Sequence, residues 1–288
     1  MKKITLSDHV TEAVDKMYGE REARNTSRTA DYHSKLAERQ GRIDKERRLL
    51  KQAWKERRFL RAIGHVFDCL GARLESKPRA AILEGPGDDE RRYRSGREGE
   101  LKVDEYLGSL LNDEWTILAG YRNVKGEIDR ILVGPRGVFA MEIKNLNGLV
   151  SCSGDTWTKD KYDRYGNLKE SNIPIIDGKE DGKRRCPGKQ LNEPADVLER
   201  YLGRMYPDMR ICRIVVFTHE RATLGEIQNP SVDQVVHISR WNLEITFGKS
   251  SFRLTETDVR IVVRKVEDSH RYMEGILRSN KGTNQNAA

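Results

Sequence analysis

The rhythm of apolar and polar positions changes along this chain. From Arg28 to about Ile63 apolar residues are sparse. Leu36, Ile43, Leu50, Trp54 and Leu60 make a broken stripe through a proline-free stretch rich in Ala, Leu, Lys, Arg and Glu. That composition predicts helix, with Gly41 as a local weak point, and the spacing does not sustain a strict heptad. AIGHVFDCLGARL (62–74) is more apolar and predicts a short helix. KPRAAILEGPGDDERRYRSG follows, interrupted by Pro78, Gly85, Pro86 and Gly87. It reads as a linker, with a domain boundary near residue 88.

Beyond it the pattern tightens. Glu98 to Leu111 predicts a helix whose Leu101, Val103, Leu107 and Leu110 face a core. TILAGYRNV predicts an edge strand. EIDRILVG and VFAMEIKNLNG predict two strands joined by the turn GPRG. LVSCSG and TWTKD are extended, and DRYGNLKESNIPIIDGKEDGKRRCPG reads as a long polar loop. QLNEPADVLERYLGRMY predicts a helix with Pro194 near its first turn. The strand RICRIVVFT, then VVHIS, a charged interval and VRIVVRK complete the pattern. VEDSHRYMEGILRS is the last predicted helix, and NKGTNQNAA a frayed tail. Helices therefore flank a small mixed sheet, which is the α/β class.

Charge adds one feature. The formal net charge is +8, and Met1 to Ile63 holds 17 Lys or Arg against 10 Asp or Glu. The N-terminal segment thus carries nearly all of the excess. A positive segment can attract a polyanion, so nucleic acid is one expected partner. The same helices can instead pack on another protein or on a second copy of the chain. No apolar run is long enough to cross a bilayer, and MKKITLSDHVTEAVDK has no apolar core of a secretory signal. Cys69, Cys152, Cys186 and Cys212 are widely spaced, without a CxxC pair. They suit a reducing cytoplasm rather than a disulfide framework or a structural zinc site.

Two carboxylates and a lysine interrupt the most apolar stretch. Glu142 and Lys144 are two apart on one strand and so share a face. A hairpin around GPRG brings Asp129 beside them. Carboxylates are hard ligands suited to Mg²⁺ or Mn²⁺, and a lysine beside them can stabilise phosphate charge or orient water. Glu100, at the start of the preceding helix, can complete such a site or act as a cap; Gly96 and Gly99 permit close approach there. The bland alternative for Asp129, Glu142 and Lys144 is a set of exposed strand charges or a structural ion pair.

The ordered set GREGE (96–100), EIDRILVGPRGVFAMEIKNLNG, Trp157, CPGKQ and RIVVFT resembles the nuclease-related domain family, within the restriction-endonuclease-like group of PD-(D/E)xK folds. The resemblance spans roughly Tyr93 to Ser239. It implies a central mixed sheet flanked by helices, with the site at one edge. It assigns metal-binding roles to Glu100, Asp129 and Glu142, the lysine role to Lys144, and a place near the site to Gln190. Related domains often carry QIDH where this chain has Glu127 and Arg130, in EIDR. Arg130 is expected to face away from Asp129 and brace another layer.

The expected organisation is a basic helical extension and linker over 1–87, a nuclease-like domain over 88–279 and a flexible tail over 280–288. Lys159, Lys161, Arg164, Lys179, Lys183, Arg184, Arg185 and Lys189 surround the long polar region and are candidate phosphate contacts. Trp157 and Tyr162 are expected to pack or anchor loops, with base stacking as the alternative. His219 and His237 are expected to play local roles. The expected activity is Mg²⁺- or Mn²⁺-dependent hydrolysis of nucleic acid, DNA before RNA, with anti-phage or anti-plasmid defence as one setting. The alternative is a binding module that has lost cleavage.

Overall fold

In a computed structural model, residues 1–176 and 185–285 are described. The chain divides into two compact units. One joins Met1–Glu12 to everything from Arg92 onward, and the other is Ala13–Arg91.

The second unit is a helical hairpin with a returning strap. Helix α1 runs from His9 to Lys55 and α2 from Phe59 to Leu74. Gly41 does not break α1; within a long helix its propensity cost is local. α1 ends at a tight turn in which Arg58 N–H donates to Ala53 O and Arg57 N–H to Trp54 O. Arg57 sits at φ 55°, in the left-handed region that such helix ends require. α2 runs back antiparallel along α1: His65 Nδ1 lies 2.8 Å from Glu46 Oε2, and Arg42 pairs with Glu75 at 2.8 Å. The strap after α2 is fastened to α1. Asn25 exchanges two hydrogen bonds with the Glu84 backbone, and Arg24 and Arg28 both hold the Glu84 carboxylate.

The first unit holds two sheets. Strand β1 (Lys2–Thr5) opens it, followed after α3 (Asp88–Leu110) by β2 (Thr116–Asn123), β3 (Gly126–Gly134) and β4 (Gly137–Lys144). Next come β5 (Gly148–Ser153), β6 (Thr156–Tyr162), β7 (Leu168–Pro174), α4 (Pro187–Leu202), β8 (Ile211–Phe217), β9 (Ala222–Gln228) and β10 (Gln234–His237). Two helices close the chain, α5 (Leu243–Gly248) and α6 (Glu256–Gln285). The six-stranded mixed sheet has the order β1-β2-β3-β4-β8-β10, and the four-stranded one β7-β6-β5-β9. Val103 and Leu107 of α3 and Phe247 of α5 pack with Phe139, Met141 and Ile143. Leu191 and Leu198 of α4 and Val262 and Val266 of α6 pack with Val138, Ala140 and Val215. Helices thus cover both faces of the larger sheet, as expected for the α/β class.

Several expectations change. TILAGYRNV is not an edge, because β1 pairs parallel with β2 and covers it. The described residues form two sheets rather than one. β7 lies in the stretch expected to be a loop; it pairs antiparallel with β6 but is almost wholly exposed, so no apolar alternation announces it. VRIVVRK (259–265), to which its sequence assigned no element, is helical: Val259, Val262 and the following Val266 are buried at helical spacing inside α6. α6 also takes in 280–285 of the expected tail, while 286–288 lie outside the described residues. Pro194 is in the interior of α4, not near its start. α3 begins ten residues before Glu98, where Asp88, Asp89 and Glu90 fill its first turn.

Candidate active site

The site begins with the β3–β4 hairpin. Pro135 and Arg136 form its turn between the paired Gly134 and Gly137, and Gly137 adopts φ 118°, which a side chain would resist. The register sets Arg130 opposite Met141. Asp129 therefore arrives beside the end of β4, where its Oδ2 accepts the Ile143 N–H at 2.7 Å. Strand alternation puts Glu142 and Lys144 on the side of Val138 and Ala140. Lys144 Nζ lies 2.8 Å from Glu142 Oε1, and both side chains are nearly buried. The hairpin brings Asp129, Glu142 and Lys144 together.

A second group comes from α3. Gly99 is pressed against the ends of β4 and β8: a Cβ there would stand 2.8 Å from Thr218 Oγ1 and 2.9 Å from Asn145 Cβ. Gly96 faces open space, so of the two glycines only Gly99 serves close approach. Asn145, directly after Lys144, ties the elements together. Its Nδ2 donates to Ser95 O at 2.9 Å, and its Oδ1 accepts from Thr218 Oγ1 at 3.3 Å. Nothing in the sequence marked Asn145, Thr218 or Asp104; only the approach of α3 gives them their places.

Glu100 follows Gly99 into the site, but it is not a cap, since it sits in the middle of α3. Its Oε2 accepts from Arg130 Nη1 at 2.8 Å, and Arg130 also binds Asp104 at 2.7 and 3.0 Å. Arg130 braces the α3 layer, as its strand position predicts. Burial, then the negative charge of Asp129, pushes Glu100 up to about 7 despite Arg130. Burial and Asp129 also raise Glu127, whose carboxylate is held by Arg122 at 3.1 Å. Burial acts to raise Asp104, but hydrogen bonds from Arg130 and Lys3 outweigh it and leave it low. A polar cavity of about 110 Å³ lies beside this group, lined in part by Lys3, Ser7, Arg97, Glu100 and Arg130.

Residues 95–218 match the family model for the nuclease-related domain. That is the family the order of motifs resembles. No curated protein and no solved structure matches the chain. The matched segment contains α3 from Ser95, the β3–β4 hairpin and β8, so every residue named in the site so far, apart from Lys3 and Ser7, lies within the segment that matches the nuclease-related domain model.

The donor chemistry of this domain fits a hard dication. Asp129 and Glu142 supply carboxylate oxygens; Glu100 and Glu127 are raised chiefly by burial and secondly by the charge of Asp129, and a dication would relieve that second, charge-repulsion part. α4 packs on β3 and β4 and carries Gln190, whose buried Oε1 has no partner among the described residues. Glu100, Asp129 and Glu142 are not drawn within 4.8 Å of one another; among the described residues that spacing is met by Glu46, His65 and Asp68 in the helical hairpin. Glu100 is turned to Arg130 instead.

The remaining candidates are dispersed. Lys161 pairs with Glu170, Lys189 with Asp155, and Arg185 with Glu193 and the Lys125 carbonyl. Arg164 lies over the Tyr165 ring, and Lys159 is on β6. Lys179, Lys183 and Arg184 lie outside the described residues. Trp157 is buried and stacks on Phe217, which favours packing over base stacking, while Tyr162 is exposed. His219 accepts from the Arg221 N–H, and His237 meets Ser239 and the His219 carbonyl. All four cysteines are free and buried. Burial pushes the Cys152 thiol up to about 11 and that of Cys212 to about 12, so neither is a ready nucleophile. No helix among the described residues is long and apolar enough to cross a membrane.

Proposed function

We propose that this protein is a divalent-metal-dependent nuclease that hydrolyses phosphodiester bonds, in DNA before RNA, in the cytoplasm. The observation that carries the reading is the convergence of Asp129, Glu142 and Lys144 on one hairpin inside the segment that matches the nuclease-related domain. Asp129 and Glu142 would hold Mg²⁺ or Mn²⁺, with Glu100 joining them on release from Arg130. Such an ion, when bound, supplies Lewis acidity toward the phosphodiester and makes water a stronger acid. Lys144 places its ammonium where phosphate charge develops and orients the attacking water. Glu100, poised near neutrality, can hold a proton at its carboxylate. Gln190 offers an amide to the same side of the sheet. Lys159, Lys161, Arg164, Arg185 and Lys189 would position the backbone without reading bases.

A second reading has an observation of its own. The Arg130–Glu100 pair occupies a proposed metal ligand, and a protein locked in that state binds nucleic acid without cutting it. Labelled linear and circular DNA, single-stranded and duplex, with matched RNA, tests both readings in Mg²⁺ and Mn²⁺. The nuclease reading expects product from the wild type, none after chelation, and none from Glu142→Gln or Lys144→Ala proteins that retain their circular dichroism. Product from both variants at the wild-type rate removes the site assignment. Salt-dependent retention of nucleic acid without product supports the binding module.

A further inference from the structure

Helix α2 is amphipathic the wrong way round for a monomer. Its small residues Ala62 and Cys69 are the buried ones, and His65 reaches Glu46 on α1. Its large apolar residues face solvent. Leu60, Phe67 and Leu74 are 88%, 68% and 83% exposed, and Phe59, Ile63, Val66 and Leu70 are exposed beside them. At ~100° per residue these seven fall within an arc of about 120°. They form one continuous stripe, which Trp54 extends by packing its ring edge-on to Phe59 at 5.7 Å. With about 150–250 Å² for each aromatic side chain and somewhat less for each aliphatic one, scaled by their exposures, the stripe together with Trp54 exposes apolar surface on the order of 900 Å². The largest apolar patch of an ordinary monomer is roughly 300–600 Å².

We propose that this stripe is the interface with a second copy of the chain, formed by two α2 helices packed antiparallel about a two-fold axis. Two observations select that occupant. The first is area: a standard interface covers about 800 Å² per partner, which the stripe matches without help. The second is order along the helix. Apart from Leu60, at one rim of the stripe and set opposite Arg73, the residues Phe59, Ile63, Val66, Phe67, Leu70 and Leu74 are spaced by 4, 3, 1, 3 and 4 residues, a sequence that reads the same in both directions. A two-fold axis between Val66 and Phe67 therefore sets Phe59 on Leu74 and Ile63 on Leu70 of the other copy. This is the self-complementarity that an interface made from one surface patch used twice demands. The side of α2 away from the stripe carries Arg61, Gly64, Asp68 and Gly71, not the basic band of a helix lying on an anionic bilayer. The inference does not rest on the nuclease reading.

The test uses the full-length chain. Sedimentation velocity at micromolar concentration should give a dimer for the wild type. For Phe67→Glu and Leu70→Glu the mass should fall by half, with unchanged circular dichroism, because both side chains are exposed. A second measurement fixes the register. A short bis-maleimide should join Val66→Cys into a covalent dimer, since residue 66 lies beside the axis. Phe59→Cys should not join, because two copies of residue 59 lie about 22 Å apart along the pair. The wild type, whose cysteines are buried, is the blank. A monomeric wild type overturns the proposal, and one that also floats with anionic phospholipid vesicles replaces it with a membrane surface. A dimer that survives both glutamate variants overturns it, and cross-linking through Phe59→Cys alone overturns the antiparallel register.

Discussion

Gly99→Ala and Gly96→Ala are the same chemical change three residues apart on α3, and they should differ sharply. Replacing glycine by alanine inside a helix gains about 0.8–1 kcal/mol of propensity at either position. At Gly96 the new methyl meets nothing within 4 Å, so the gain stands. At Gly99 it arrives 2.8 Å from Thr218 Oγ1 and 2.9 Å from Asn145 Cβ. Neither neighbour yields freely, because Thr218 donates to Asn145 and Asn145 donates to Ser95. Overpacking of this kind costs about 1–3 kcal/mol. Propensity cancels between the two variants, so the gap in their urea unfolding free energies should be about 1–3 kcal/mol, with Gly99→Ala the weaker. Gly99→Ala should also lower cleavage, because the shift of α3 carries Glu100 with it. A gap below about 0.5 kcal/mol would refute the claim that close approach at Gly99 positions the site.

Three further outcomes follow from the same geometry. Arg130→Met leaves Asp104 and Glu100 without their buried partner and should cost about 3–5 kcal/mol, read as a fall in the urea midpoint; a loss under about 1 kcal/mol would show that the cluster is solvated. Arg57→Gly relieves a left-handed non-glycine residue and should stabilise the helical hairpin by about 1 kcal/mol, seen as a later loss of helical circular dichroism; an earlier loss would contradict the turn. His270 is held below its ordinary value of 6.5, chiefly by burial, and its Nδ1 accepts the Arg122 N–H. Its contribution is therefore complete above 6.5 and is lost as pH falls below it. Glu100 and Glu127, both raised by burial, act the other way over this range, so the test is the difference: between pH 7 and pH 5 the metal-free thermal midpoint of the wild type should fall relative to that of His270→Gln, and an unchanged difference counts against the neutral buried ring.

The sequence by itself determined what local pattern encodes. Glycines flanking Pro135 and Arg136 between two apolar runs fixed the hairpin, and period-two alternation then put Glu142 and Lys144 on one side. Asp129 followed from the same local geometry, and Arg130 from its opposite parity. Tertiary structure decided the rest, because those contacts join residues far apart in the chain. Lys2–Thr5 carries no strand signal of its own and becomes β1 only by pairing with β2, more than a hundred residues away. VRIVVRK is apolar enough for a strand, and its place is settled by burying Val259, Val262 and then Val266 at the spacing of a helix. Glu100 was legible as an acidic residue near two glycines, but its bond to Arg130 required α3 to close over the sheet at Gly99. α2 shows the same division: its sequence records an apolar stripe, and only the fold reveals that the smaller face was spent on α1 and the larger one left exposed.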